Sequence, residues 1–193
     1  MKDKPQYLNG KLLIAMPGMG DFRFHKSVIY ICAHDAQGAM GLIVNQPLPG
    51  LEFSELLEQL EILKGSEQDQ IKIPDITVMH GGPVEGARGF LLHSNDFVRK
   101  DTVKVDEQFF VTGTLDALRD AVVETAPEKS LFILGYAGWT SGQLDQELQQ
   151  NAWLVADGNP DIVFNPDPDV KWDMAVKALG IDPSMLSAIG GSA

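Results

Sequence analysis

The sequence predicts an α+β fold on a mixed, mostly antiparallel sheet, and three observations carry that prediction. Short β-branched segments outnumber amphipathic ones; several follow one another across short turns; and strands and helices interleave without the regular β-α-β alternation of a parallel array. The chain has 193 residues, 44% hydrophobic and 22% charged. That is close to the average for globular proteins and long enough to bury a core, so residues 1–193 read as one domain.

Each element follows from local pattern. Residues 11–16 read as a first strand, and 27–34 (SVIYICAH) as a second, apolar on both faces and therefore central. Asp35, Ala36, Gln37 and Gly38 turn the chain into a third strand at 39–45, which Pro47 ends. Between 53 and 63, Phe53, Leu56, Leu57, Leu60 and Leu63 recur at helical spacing opposite Glu55, Glu58 and Glu61, with Ser54 as N-cap. Residues 65–72 are polar and uncapped, which predicts a mobile loop. Strands follow at 76–79, 89–93 and 108–112, then a helix at 115–125 and a strand at 131–134. A helix at about 141–150 precedes strands at 152–155 and 162–164. The last helix, 170–179, takes Asp169 as its cap and Gly180 at C′.

Charge narrows the function classes. Against 15 Lys and Arg stand 27 Asp and Glu, a formal charge of −12, and such a field repels a polyphosphate whose binding depends on Lys and Arg displacing counterions. The longest basic cluster, Arg99-Lys100, is followed at once by Asp101, and the helix at 170–179 sets Lys171 and Lys177 beside Asp173, a poor reading helix. The partner expected is a small molecule or a protein, not nucleic acid. No apolar run approaches the roughly 18 residues of a membrane span. Lys2 and Lys4 precede the apolar residues 12–16, but Pro17 and Gly18 stop that run short of a signal-peptide core. Cys32, the single cysteine, cannot form an internal disulfide and points to a reducing compartment, the cytoplasm.

Four stretches break the rhythm: PGMGDF at 17–22, AMGLIVNQP at 39–47, HGGPV at 80–84 and LGYAGWTSGQL at 134–144. With GKLLIA at 10–15 and NAWL at 151–154, they run in order over nearly the whole chain, which resembles the AlgH, or YqgE-like, family of bacterial proteins. The resemblance implies a bifurcated sheet folded into a pseudo-barrel with flanking helices. It implies no settled activity, and the family's label of transcriptional regulator gains no support from so acidic a chain.

The glycine-rich segment from Gly135 to Gly142 reads as a turn joining a buried strand to a helix, a geometry that aims free N–H groups at anions. Its spacing is neither the dinucleotide fingerprint nor the P-loop, no Lys follows, and Asp145 and Glu147 already place negative charge near the helix start. Thr140 with Gln143 reads as a capping box with Leu144 and Leu148 on the buried face, and Trp139 as an aromatic platform on the rim of a pocket. His80-Gly81-Gly82 has the form of an esterase oxyanion loop, yet no G-x-S-x-G accompanies it. There the simpler reading is a hydrogen-bonded histidine at a strand end, with glycines supplying backbone angles closed to other residues.

Cys32 and His34 alternate onto one strand face, but about 6.6 to 6.8 Å apart, too far for a thiol–imidazole bond, so the cysteine reads as a small buried hydrophobe. His25, His34, His80 and His93 lack metal-ligand spacing, and the acidic stretch 161–169 lacks the glycine and glutamate of a calcium loop. No metal or cofactor is expected. Two functional readings result. The first is a non-catalytic binding or regulatory protein whose cleft draws on Asp21, His34, Asn45, His80, Gly81, Gly82, Tyr136, Trp139 and Gln143. The second is an enzyme in which Asp21, His34, Asn45, His80 and His93 converge in space. Mutual hydrogen bonding within a concave pocket would favour the second, and separate satisfied niches the first.

Overall fold

In the computed structural model, which describes residues 7–61, 76–113, 118–119, 122 and 126–187, the β-branched runs assemble into one sheet. Its strands are β1 (Lys11–Ala15), β2 (Val28–Asp35), β3 (Gly38–Ile43), β4 (Val78–His80), β5 (Val84–His93), β6 (Val103–Lys104), β7 (Phe110–Thr112), β8 (Ser130–Thr140) and β9 (Trp153–Asp157). The order is β6-β7-β5-β8-β3-β2-β1-β9, with β4 beside β8. Among the described residues only the β4–β8 pairing is parallel. The helices whose bounds lie within the described residues are α1 (Phe53–Gln59), α2 (Gln143–Gln149), α3 (Pro160–Val163), α4 (Lys171–Ala178) and α5 (Pro183–Ser187). The sheet curls into a half-barrel flanked by these helices.

Strand alternation divides the core. Leu12, Ile14, Val28, Tyr30 and Leu42 share one cluster with Trp172, Ala175 and Val176 of α4. Their neighbours Leu13, Ala15, Ile29, Ile31 and Ile43 face the other way, against Trp139, Leu144 and Trp153. A third cluster sets Phe53, Leu56 and Leu57 of α1 on Phe132 and Leu91. Helix α4 is pinned to the sheet by two buried donors: Trp172 Nε1 donates to the Ala15 carbonyl at 2.9 Å, and Lys171 Nζ to the carbonyls of Val44 and Val163, each at 2.7 Å.

The fork lies on β8. Its first half pairs with β4 and β5, and its second half, from Ala137 to Thr140, with β3. At the fork the chain after β4 crosses β8 backbone to backbone: Gly81 N–H donates to the Leu134 carbonyl at 2.7 Å, while the Gly81 carbonyl accepts from Ile43 N–H at 3.0 Å. No Cβ fits there, since one on Gly81 would stand 2.2 Å from the Gly135 carbonyl oxygen.

Several sequence expectations change. Residues 135–140 continue β8 instead of forming a turn, because Gly135 answers this crossing: a Cβ on it would stand 2.7 Å from the Gly82 carbonyl oxygen. Residues 162–163 belong to α3, not to a strand, since Asn159 caps Asp161 N–H and Pro160 occupies the first turn, overriding the β propensity of Ile162 and Val163. The cap of α1 is Glu52, whose N–H donates to Glu55 Oε2 at 3.4 Å. Asp169 does not cap α4, which is followed by the further short helix α5; Asp167 accepts from Asp169 N–H in a 3-10 turn preceding α4. Gly180 closes α4 with φ of 74°, as expected. The edge pairing of β6 escaped the sequence reading. The loop expected at 65–72 lies outside the described residues. Of the helix expected at 115–125, Leu118, Arg119 and Val122 are described as helical, with Leu118 and Val122 buried. No helix among the described residues is long and apolar enough to cross a membrane.

Candidate functional site

A cleft of about 280 Å³ opens on the sheet face that carries Trp139 and Trp153, between the β1–β2 loop and α2. Asp21 fixes the loop. Its carboxylate accepts from the Arg23 backbone N–H at 3.1 Å and from the guanidinium, Nε to Oδ1 at 3.0 Å and Nη2 to Oδ2 at 2.6 Å. Those guanidinium bonds hold the Asp21 carboxyl below its usual range. The resulting 3-10 turn sends Phe22 into solvent and brings Phe24 edge-on to Trp153 at 5.7 Å.

The opposite wall is α2. Buried Leu144 seats the helix, and Gln143 and Glu147, four residues apart, share the face that meets the cleft. Both indoles converge on Glu147: Trp139 Nε1 and Trp153 Nε1 each donate to Oε2 at 2.8 Å. Gln143 Nε2 donates to Oε1 at 2.9 Å. The Gln143 oxygen in turn accepts from Thr140 N–H at 3.0 Å and from its hydroxyl at 3.2 Å. The expected capping box is therefore one-armed: the N-cap is Gly142, in the left-handed region, and the Thr140 hydroxyl caps no helix N–H.

The structure brings Asp21, Trp139 and Gln143 together on this cleft. Trp139 is only 6% exposed, so its indole is packed into the floor and does not stand on a rim. Arg23, Phe24, Glu147 and Trp153 were not among the cleft residues expected from sequence. The one local signal for Glu147 was its spacing from Gln143; its carboxylate turns inward because two indoles from separate strands meet it there, while Asp145 faces solvent.

The other residues lie elsewhere. His34 is buried, its Nδ1 accepting from Leu8 N–H at 3.1 Å and its own N–H donating to Asn9 Oδ1 at 2.6 Å. A register shift between Ile31 and Ala33 breaks the expected Cys32–His34 alternation. Cys32, expected to be buried, is half-buried against the core that holds Tyr30, and its Sγ lies 3.8 Å from the Tyr30 carbonyl. Asn45 ties two backbones, accepting from Val28 N–H and donating to the Lys26 carbonyl, both at 2.8 Å. His80 ends β4, half-buried, with its N–H on the Gln46 carbonyl. Gly81 and Gly82 serve the crossing, and the Gly81 N–H is spent on Leu134, unlike an oxyanion donor. Tyr136 lies edge-on to Phe90 in the other core. His93 is fully buried, with Nδ1 on the Ser94 carbonyl at 2.8 Å and Nε2 on the Thr112 hydroxyl at 2.9 Å; burial lowers its pKa. Nδ1 must then carry the proton and Nε2 accept. No group of three or more potential metal ligands occurs among the described residues.

Residues 12–184 match the model of the AlgH-like family, and the chain belongs to that family. It is 50% identical over 196 residues to a UPF0301 protein of Rhodopseudomonas palustris, covering 99% of this chain and 89% of the relative. A UPF0301 protein of Ruegeria pomeroyi is 52% identical over 187 residues, covering 96% and 99%. The solution structure of AlgH from Pseudomonas aeruginosa superposes with a TM-score of 0.76 at 39% identity over 100% of both chains, in agreement with the expected curled, mostly antiparallel sheet. A crystal structure from Corynebacterium diphtheriae, 19% identical, shares the fold with a TM-score of 0.72, over 100% of this chain and 95% of that one.

Proposed function

We propose that this member of the AlgH-like family is a non-catalytic binding or regulatory protein of the cytoplasm, and that it receives a small molecule or a partner's side chain in the cleft between Phe24 and Glu147. One observation carries this reading. The polar groups of the cleft are held by one another, Asp21 by Arg23 and Glu147 by Trp139, Trp153 and Gln143, which is the preorganisation that recognition requires. The side chains that an enzyme would have had to gather, Asp21, His34, Asn45, His80 and His93, form no hydrogen bond with one another and occupy separate niches.

The test is retention of cytosolic metabolites and proteins by the immobilised chain, identified by mass spectrometry and compared with Ala152→Phe. Ala152 lines the cleft half-buried, so phenylalanine fills it without removing a hydrogen bond. A ligand held by the wild type and lost from the folded variant supports the reading. A ligand held equally by both, or converted by the protein, overturns it.

A further inference from the structure

We infer that the cleft selects an organic cation, an alkylammonium or guanidinium group, with Glu147 as its counter-charge. This rests on the proposed binding role of the same cleft and adds the chemical class of what enters.

The charges of the cleft do not cancel. Asp21 and Arg23 neutralise each other in a close ion pair. Glu147 is met only by neutral donors, two indoles and one carboxamide, and among the described residues no cation is paired with it. One negative charge is left in a half-buried setting, where screening by water is reduced and an opposite charge gains most.

The free acceptor sites point the same way. An ionised carboxylate offers about four. On Glu147, Oε2 accepts from both indoles and Oε1 from Gln143, leaving one site on Oε1. Asp21 has none to spare: Oδ1 accepts from Arg23 N and Nε, and Oδ2 from Nε and Nη2. The Gln143 oxygen is taken twice by Thr140. The remaining strong acceptor among these three side chains is thus Glu147 Oε1, which calls for an N–H donor.

Aromatic rings complete the recognition. Phe24 and Trp139 each stand edge-to-face with Trp153, at 5.7 and 6.1 Å between centroids, and all three line the cleft. The face of a ring carries the negative end of the quadrupole and attracts a cation, and the Arg23 guanidinium already lies 5.9 Å over the Phe24 ring; the two indoles, largely packed away, frame the carboxylate through their N–H edges. The net charge of −12 draws cations toward the surface. An anion approaching Arg23 would meet that same field, the Asp21 carboxylate and Glu147.

The experiment follows the indole N–H signals of the ¹⁵N-labelled wild-type protein during titration with n-butylguanidinium, n-butylammonium and the blocked tripeptide acetyl-Gly-Arg-Gly-amide. N-butylurea serves as neutral isostere and butyrate as anion. Saturable shifts of the Trp139 and Trp153 signals, with Trp172 unmoved and N-butylurea and butyrate at least about tenfold weaker, are expected. Equal response to the free cation and the tripeptide indicates a small-molecule amine; preference for the tripeptide indicates a partner's Lys or Arg side chain. Glu147→Gln, if folded, should lose the guanidinium response; the wild-type titration decides the matter if it does not fold. N-butylurea or butyrate binding as tightly as the cations overturns the cation assignment and leaves the cleft reading intact. Absence of any saturable shift with all three cations also overturns it. The cleft reading itself fails only in the Ala152→Phe capture.

Discussion

Gly82 packs so closely on Tyr136 that a Cβ at position 82 would stand 2.2 Å from the Tyr136 carbonyl carbon, and its φ of 146° is closed to most side chains. The contact joins the segment after β4 to β8 at the fork of the sheet. Replacing Gly82 by Ala should therefore cost about 1–3 kcal/mol from forced backbone shifts and about 1–3 more from the dihedral. Gly86, four residues on, would meet nothing within 4 Å and has no positive φ, so Gly86→Ala should stay within about 0.5 kcal/mol of the wild type. Chemical denaturation of the pair checks the contrast, and equal losses would remove the crossing from the account.

That contact also explains what was legible in the sequence. Strands β2 and β3 announce themselves through residues such as Val28, Ile29 and Ile31, and the buried stripe Phe53, Leu56 and Leu57 of α1 follows from periodicity alone, because in both cases neighbours in sequence decide the outcome. The run from Gly135 to Thr140 misleads, since glycine signals a turn locally while here it admits another backbone that arrives from about fifty residues away in sequence. The cleft divides in the same manner. Trp139 and Gln143 stand out as unusual residues in a glycine-rich segment, whereas Glu147 looks like one more helix-surface acid until β8 and β9 bring two indoles to it.

The one-armed cap at α2 predicts an asymmetry. Gln143→Ala removes bonds to Thr140 N–H, the Thr140 hydroxyl and Glu147, and should cost about 1–1.5 kcal/mol. Thr140→Ala removes only an exposed hydroxyl bond and should cost about 0.5 kcal/mol or less, with the double mutant less than additive. A Thr140→Ala loss equal to that of Gln143→Ala would restore a reciprocal capping box.

Burial pushes the Cys32 thiol up to about 12, so very little thiolate exists at neutral pH. Iodoacetamide at pH 8 should label the native protein roughly a thousandfold more slowly than the urea-unfolded chain, the ratio of thiolate fractions set by pKa values near 12 and 9. Mass spectrometry of timed aliquots measures both rates. Comparable rates would mean that the thiol is activated or that the strand opens readily at its bulge.

The buried ammonium of Lys171 gives the chain an alkaline stability profile. It is fully buried with two carbonyls as its acceptors, and burial lowers its pKa to about 8 from an ordinary value of 10.5. The folded state thus binds this proton less tightly than the unfolded state, and stability rises with pH wherever the unfolded chain holds more protons. At pH 7 the charged, desolvated form costs about 3 kcal/mol relative to a neutral amine, and roughly 1 kcal/mol of that is relieved between pH 7 and 9. Above pH 9 the sign reverses for two neighbours in the fold, since the Cys32 thiol and the Tyr30 phenol are both raised and ionise more readily when unfolded. Stability measured by urea denaturation should therefore climb from pH 7 to about 9 and then level or fall. In Lys171→Met the climb should vanish while the decline persists, even though the variant leaves the Val44 and Val163 carbonyls without their donor and so is not expected to be more stable in absolute terms. A wild-type profile that is flat or falling from pH 7 to 9, and parallel to that of the variant, would show that the ammonium keeps its ordinary affinity for the proton inside the fold.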